Sequence, residues 1–133
     1  MSSNTYKVAI TERYVRAPSD YKISTQPAPQ LTSDTEVEVS VHAASLNPID
    51  YKRAEGMIAI PLPEPFPLKL GYDVSGTVTK IGSAVTRFTV GQAVYGRVDS
   101  RYAGTIGEIV VTSESSLSLK PDNISHAEAA SVP

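Results

Sequence analysis

The sequence predicts a mainly β fold with short helices, built as a small, partly open β-barrel. Three observations lead there. Short apolar and polar alternations recur along the chain, glycine and proline punctuate them, and one capped helical stretch interrupts their middle. At 133 residues the chain fits one domain, and a domain of that size buries roughly two-thirds of its unfolded surface.

Taken in order, Tyr6, Val8 and Ile10 alternate with Lys7 and Ala9, the period of a first strand. Residues 21–25 form a second, expected to pair with the first before a loop holding Pro27 and Pro29. The chain is organised around residues 36–56. There Val37, Val39, Val41 and Ala43 alternate with Glu36, Glu38, Ser40 and His42, which predicts a half-buried strand with its odd positions facing the core and its end near Ser45. A short helix follows. Asn47 suits the N-cap, Pro48 the first helical position, and Asp50 the first turn, where a carboxylate favours the helix start. Gly56 is a natural stop. Asn47, Asp50, Tyr51 and Lys52 are thereby held on a rigid shelf at the end of a buried strand.

Proline at every second position from Pro61 to Pro67 denies both helix and sheet ladder, so this stretch reads as an extended rim. Residues 73–81 form the next strand, with Gly71 marking a turn, Gly76 a close backbone approach or bulge, and Gly82 an exit. Val85 and Phe88 are expected to plug the core, and residues 91–96, 106–112 and 117–121 to supply the remaining strands. Ser125-His126-Ala127-Glu128 is a capping box that announces a last helix, either opening a further unit or docking on the barrel.

Composition excludes several functions. The formal charge is −2 with no long block of one sign, so no polyanion or nucleic-acid partner is expected. The chain has no cysteine and two histidines, His42 and His126, too few N and S ligands for a zinc site. No apolar run approaches the length of a membrane span, so no membrane partner is expected, and the polar N-terminal residues point to the cytoplasm. Asn123-Ile124-Ser125 matches a glycosylation sequon and reads as a loop before a helix cap.

Several segments, in order, resemble the N-terminal part of medium-chain dehydrogenase/reductases: residues 46–53 (LNPIDYKR), 70–78 (LGYDVSGTV), Val85 to Val94 with Tyr95-Gly96, Leu119-Lys120-Pro121, and 128–133 (EAASVP). Within that superfamily they are similar to the zinc-free quinone oxidoreductase (zeta-crystallin-like) branch and its enone and alkenal reductases. The resemblance implies a GroES-like substrate-side domain over residues 1–124. Residues 125–133 then begin a linking helix toward an NADPH-binding Rossmann domain that lies outside this chain, since no G-x-G-x-x-G follows a strand here. Zinc-dependent relatives place cysteine where Asn47 stands and Gly-His-Glu where Gly71-Tyr72-Asp73 stands, so no zinc is implied. The second departure is Gly91-Gln92 in place of the family's Gly-Asp, which affects a turn rather than chemistry.

For chemistry, the resemblance implies NADPH as cofactor and a quinone or enone as the small-molecule substrate, with the parent enzyme a homodimer. It assigns catalysis to Lys52, Asn47 and Tyr72, the nicotinamide edge to Asn47 and Pro48, and the substrate pocket to Tyr51, Tyr72, Pro65 and Phe66. Tyr72 has a better claim to a cleft position than Tyr51, for which packing is favoured. Asp50 is read as a helix cap, and His42 and His126 as surface residues. The 133-residue chain alone is expected to be inactive. Alternative readings are a stand-alone GroES-like assembly or binding module and an enoyl reductase domain of a fatty acid or polyketide synthase.

Overall fold

The computed structural model describes residues 4–57 and 65–133, and the expected rim at Pro61 and Pro63 lies outside them. Among the described residues, eight strands and two short α-helices follow one another in this order: β1 (Thr5–Thr11), β2 (Lys22–Pro27), β3 (Glu36–Ser45), α1 (Pro48–Ala54), β4 (Leu68–Lys69), β5 (Asp73–Ile81), β6 (Ala93–Arg97), β7 (Ile109–Ser113), β8 (Leu117–Leu119) and α2 (His126–Ala130). One sheet runs β2-β1-β4 and the other β7-β3-β5-β6-β8. The two are joined by a lone bridge from Val8 to Gly107 and by Ala9 N–H donating to the Ile106 carbonyl at 2.8 Å. The strands therefore wrap around a core without closing into one ladder, the partly open barrel that the sequence predicts.

Expected elements and observed elements agree closely. Tyr6, Val8 and Ile10 are buried on one face of β1, and β1 pairs antiparallel with β2. Val37, Val39, Val74, Val78, Phe88 and Val94 pack one core, with Val85 against it. Gly76 carries the close approach read from the sequence. A Cβ there would stand 2.1 Å from the Ser40 carbonyl oxygen, and β3 shifts register between Val41 and Ala43 opposite it. The turn at Gly91-Gln92 survives without the family carboxylate, because Gln92 Oε1 accepts from Thr89 N–H at 2.9 Å.

Two expectations need correction. The even positions at the start of β3 are not solvent-facing: Glu36 and Glu38 are both buried. Strands β5 and β7 flank β3 on both sides, and the chain supplies donors to both acids. Glu36 accepts from Thr32 N–H at 2.6 Å and Ser33 N–H at 2.9 Å, while Glu38 accepts from Thr79 Oγ1 at 2.8 Å and lies 3.6 Å from Lys80 Nζ. Burial raises the Glu36 pKa, but its hydrogen bonds outweigh that and hold it below the usual carboxylate value. Tyr51 is the second correction. Packing was expected, yet the ring is 45% exposed, because it projects from the outer face of α1.

The last helix packs on the barrel. Ser125 and Glu128 form the capping box, with Ser125 N–H donating to Glu128 Oε1 at 2.9 Å and Glu128 N–H donating to Ser125 Oγ at 3.1 Å. Ala129 and Ala130 are fully buried, and Ser45 Oγ lies 2.8 Å from the Ala130 carbonyl oxygen. A helix of one turn is unstable alone, so this docking is what holds it.

Candidate functional site

The site is assembled where β3 ends, because three segments converge on Asn47. Its backbone N–H donates to Asp50 Oδ2 at 2.8 Å, and its Nδ2 donates to Asp73 Oδ2 at 2.7 Å. Asp50 does more than cap α1: its other oxygen accepts from Gly71 N–H at 2.9 Å, tying the helix to the turn before β5. Gly71 holds φ near +100°, and a Cβ there would stand 2.4 Å from Thr105 Oγ1, so the turn admits no side chain. Asp50 and Asp73 are 1% and 4% exposed, and buried carboxylates persist only with such partners. Asn47 is thereby held by two acids at the end of β3, its backbone by Asp50 and its side chain by Asp73.

On this support α1 presents one outward face. Pro48, Tyr51 and Lys52 are all exposed, and the spacings of three and four place them side by side. Leu46 and Met57, each 63% exposed, add an apolar lip. Beside the shelf lies a groove of about 360 Å³ lined by His42, Ala43, Ala44, Leu46, Thr105 and Ile106. The Thr105 hydroxyl is buried without a hydrogen-bond partner among the described residues.

The expected site residues divide. Asn47, Pro48, Tyr51 and Lys52 are brought together. Phe66 joins the far end of α1 through Tyr14: the two rings meet edge to face at 4.9 Å, and the Tyr14 ring lies against Gly56. Pro65 is exposed just before it. Tyr72 is a correction. It is 1% exposed in the main core, and its hydroxyl has no hydrogen-bond partner among the described residues. Its ring sits 5.9 Å from the Arg53 guanidinium and 5.6 Å from that of Arg97. The backbone turn at Gly71 swings this side chain inward rather than toward the shelf.

Sequence reasoning missed two features. Arg53 is buried, and its Nη1 donates to the Lys69 carbonyl; nothing in a basic pair on a short helix marks which member turns inward. The two histidines, read as separate surface residues, stack at 4.2 Å with planes 15° apart. His126 Nδ1 lies 2.7 Å from Ser75 Oγ, and His42 Nε2 lies 3.1 Å from Thr77 Oγ1. Burial, then His42, then Lys120 lower the His126 pKa. His42 falls in the register shift of β3, so Gly76 was the available signal that a bulge would redirect it.

Comparison with known proteins agrees with this architecture. Residues 33–122 match the alcohol dehydrogenase GroES-like domain. A mitochondrial NAD(P)H oxidoreductase of Bos taurus is 39% identical over 117 residues, covering 79% of this chain and 30% of the relative. A chloroplastic NADPH-dependent alkenal/one oxidoreductase of Arabidopsis thaliana is 39% identical over 111 residues, covering 79% of this chain and 28% of the relative. The quinone oxidoreductase structure from Coxiella burnetii superposes with a TM-score of 0.89 at 32% identity, over 97% of this chain and 41% of that one. The chain thus spans about 30% of the length of the curated relatives it matches. Among the described residues no helix is long and apolar enough to cross a membrane. With two-thirds of its length matched by one family model and its two-sheet fold shared with a quinone oxidoreductase, the chain belongs to the alcohol dehydrogenase GroES-like domain family.

Proposed function

We propose that this chain is the substrate-side domain of an NADPH-dependent reductase that transfers hydride to a quinone or an α,β-unsaturated carbonyl without a metal. The observation that carries the reading is the exposed Pro48-Tyr51-Lys52 face of α1 beside an Asn47 locked by two buried carboxylates. Relatives named for quinone and alkenal/one reduction support the substrate class.

The chain fits one edge of a nicotinamide and no more. Asn47 and Pro48 would border the ring, while the phosphates find no glycine-rich turn opening a helix here. When bound, the reduced cofactor supplies the hydride. Asn47 orients the reacting groups with an amide that needs no reorganisation, and the groove lined by Leu46 and Ile106 shields the substrate's apolar body from water. Lys52 Nζ stabilises the negative charge that grows on the carbonyl oxygen and then donates a proton to the enolate. Zinc does not fit this donor set. Asp73 Oδ2 already faces the Nδ2–H of Asn47 and lies 3.0 Å from Ser45 Oγ, so donors stand where a cation would have to sit.

The proposal includes a domain boundary after residue 124, a homodimeric parent and a cytoplasmic location, although relatives named above are mitochondrial and chloroplastic. Two measurements test the reading. Titrating the chain with 2-cyclohexen-1-one should produce saturable NMR shifts in the amides of residues 46–53; shifts elsewhere only, or none, would reject the site. In a longer chain that includes the nucleotide domain, Lys52→Met should lower kcat for the enone by about 100-fold with little change in NADPH affinity. Unchanged turnover removes Lys52 from the chemistry.

A further inference from the structure

A cavity of about 310 Å³ opens between β1, the end of β4, β7 and the turn that follows β6. Its charged lining residues are Lys69, Arg101 and Glu36. Each cation is parked on a tyrosine ring: Lys69 Nζ stands 5.1 Å from the Tyr6 centroid, and the Arg101 guanidinium 4.7 Å from that of Tyr102. Among the described residues neither has a carboxylate within ion-pair distance.

The placement is built rather than incidental. Tyr6 is 3% exposed, so the surface under Lys69 is fixed. Lys69 itself is anchored through its backbone, which pairs with Ile10 and whose carbonyl accepts from Arg53 Nη1. Its stem runs against Gly104, where an added Cβ would stand 2.9 Å from Lys69 Cβ and φ is +127°. Glu36 offsets one of the two positive charges and leaves the other. Its carboxylate is held in place by Thr32 N–H, Thr32 Oγ1 and Ser33 N–H. The cavity therefore keeps one net positive charge above an apolar floor to which β7 contributes at Ile109 and Val111, two positions that share a face of that strand.

We propose that this cavity binds a small organic monoanion, an apolar body bearing one carboxylate that sits between Lys69 and Arg101. One uncompensated charge matches one carboxylate, and a more highly charged anion would meet the buried Glu36. The apolar floor favours a carboxylate with a hydrocarbon body over a bare inorganic anion. The inference is independent of the reductase reading, since no residue is shared with the α1 shelf.

The test uses the chain itself with benzoate as probe, inorganic phosphate and benzamide as comparators, and amide shifts as readout. Benzoate should give saturable shifts at Lys69, Tyr102, Gly104 and Ile109 with a Kd on the order of 1 mM. Phosphate should bind at least about fivefold more weakly, and neutral benzamide should leave these amides in place. Arg101→Gln, on an exposed turn, should weaken benzoate about fivefold without changing the rest of the spectrum, and Lys69→Gln should do the same. Absence of saturable shifts, equal response to benzamide, phosphate binding as tightly as benzoate, or full affinity in a folded Arg101→Gln variant each overturns the proposal.

Discussion

The two helices begin with the same device and end with different roles. In α1 the acid of the capping box, Asp50, is 1% exposed and also accepts from Gly71 N–H across the domain. In α2 the corresponding acid, Glu128, is fully exposed and serves only Ser125. What holds α2 is instead its apolar side, Ala129 and Ala130, against β3 and β5. A capping box therefore specifies where a helix starts, while the burial of its acid decides whether the helix is also tied to its surroundings by charge-assisted hydrogen bonds.

Three perturbations sharpen or break this contrast. The largest effect is expected for Asp50→Ala, which strands the N–H groups of Asn47 and Gly71 in a dry region. A loss of about 3 kcal/mol in urea unfolding is expected, and a loss no larger than that of a surface substitution would dissolve the distinction between the helices. Ser125→Ala comes next, at about 1 kcal/mol from the missing cap. Its effect should appear first as faster hydrogen exchange at Ala129, with α1 unaffected; equal acceleration in both helices would mean they are one cooperative unit.

The smallest effect is a pH response confined to α2. Its first residue, His126, has a folded pKa below 6.5, set by burial, then His42, then Lys120. A depressed value means the unfolded chain binds the proton more readily, so this contribution is present above pH 6.5 and is lost as pH falls through the folded pKa. The protection factor of the Ala129 amide should fall between pH 7 and pH 5, and that fall should disappear in His126→Gln. A response of equal size in that variant would assign the effect to another group.

Local grammar was readable wherever neighbours in sequence are neighbours in space. The period of Tyr6, Val8 and Ile10, the Asn47-Pro48 start of α1, the box at Ser125 and Glu128, and the crowding at Gly76 all act within a few residues or on the adjacent strand. Of the site, the shelf holding Asn47, Pro48, Tyr51 and Lys52 was legible for that reason. Inward against outward was not. Tyr51 and Tyr72 exchanged the environments expected of them, and Arg53 turned into the domain while Lys52 faced out. A side chain's direction at the end of a short element depends on what packs over it, and that partner comes from far along the chain.

By itself, then, the sequence determined the β-rich class, the order of the elements, both helix starts and the cluster at the end of β3, because periodicity and capping are short-range. Only the tertiary structure decided that His42 meets His126, that Asp73 holds Asn47, and that Lys69 and Arg101 share a cavity. Each of those pairings depends on how strands distant in sequence fall into register, and register is set by burial across the whole sheet rather than by the residues that end up touching.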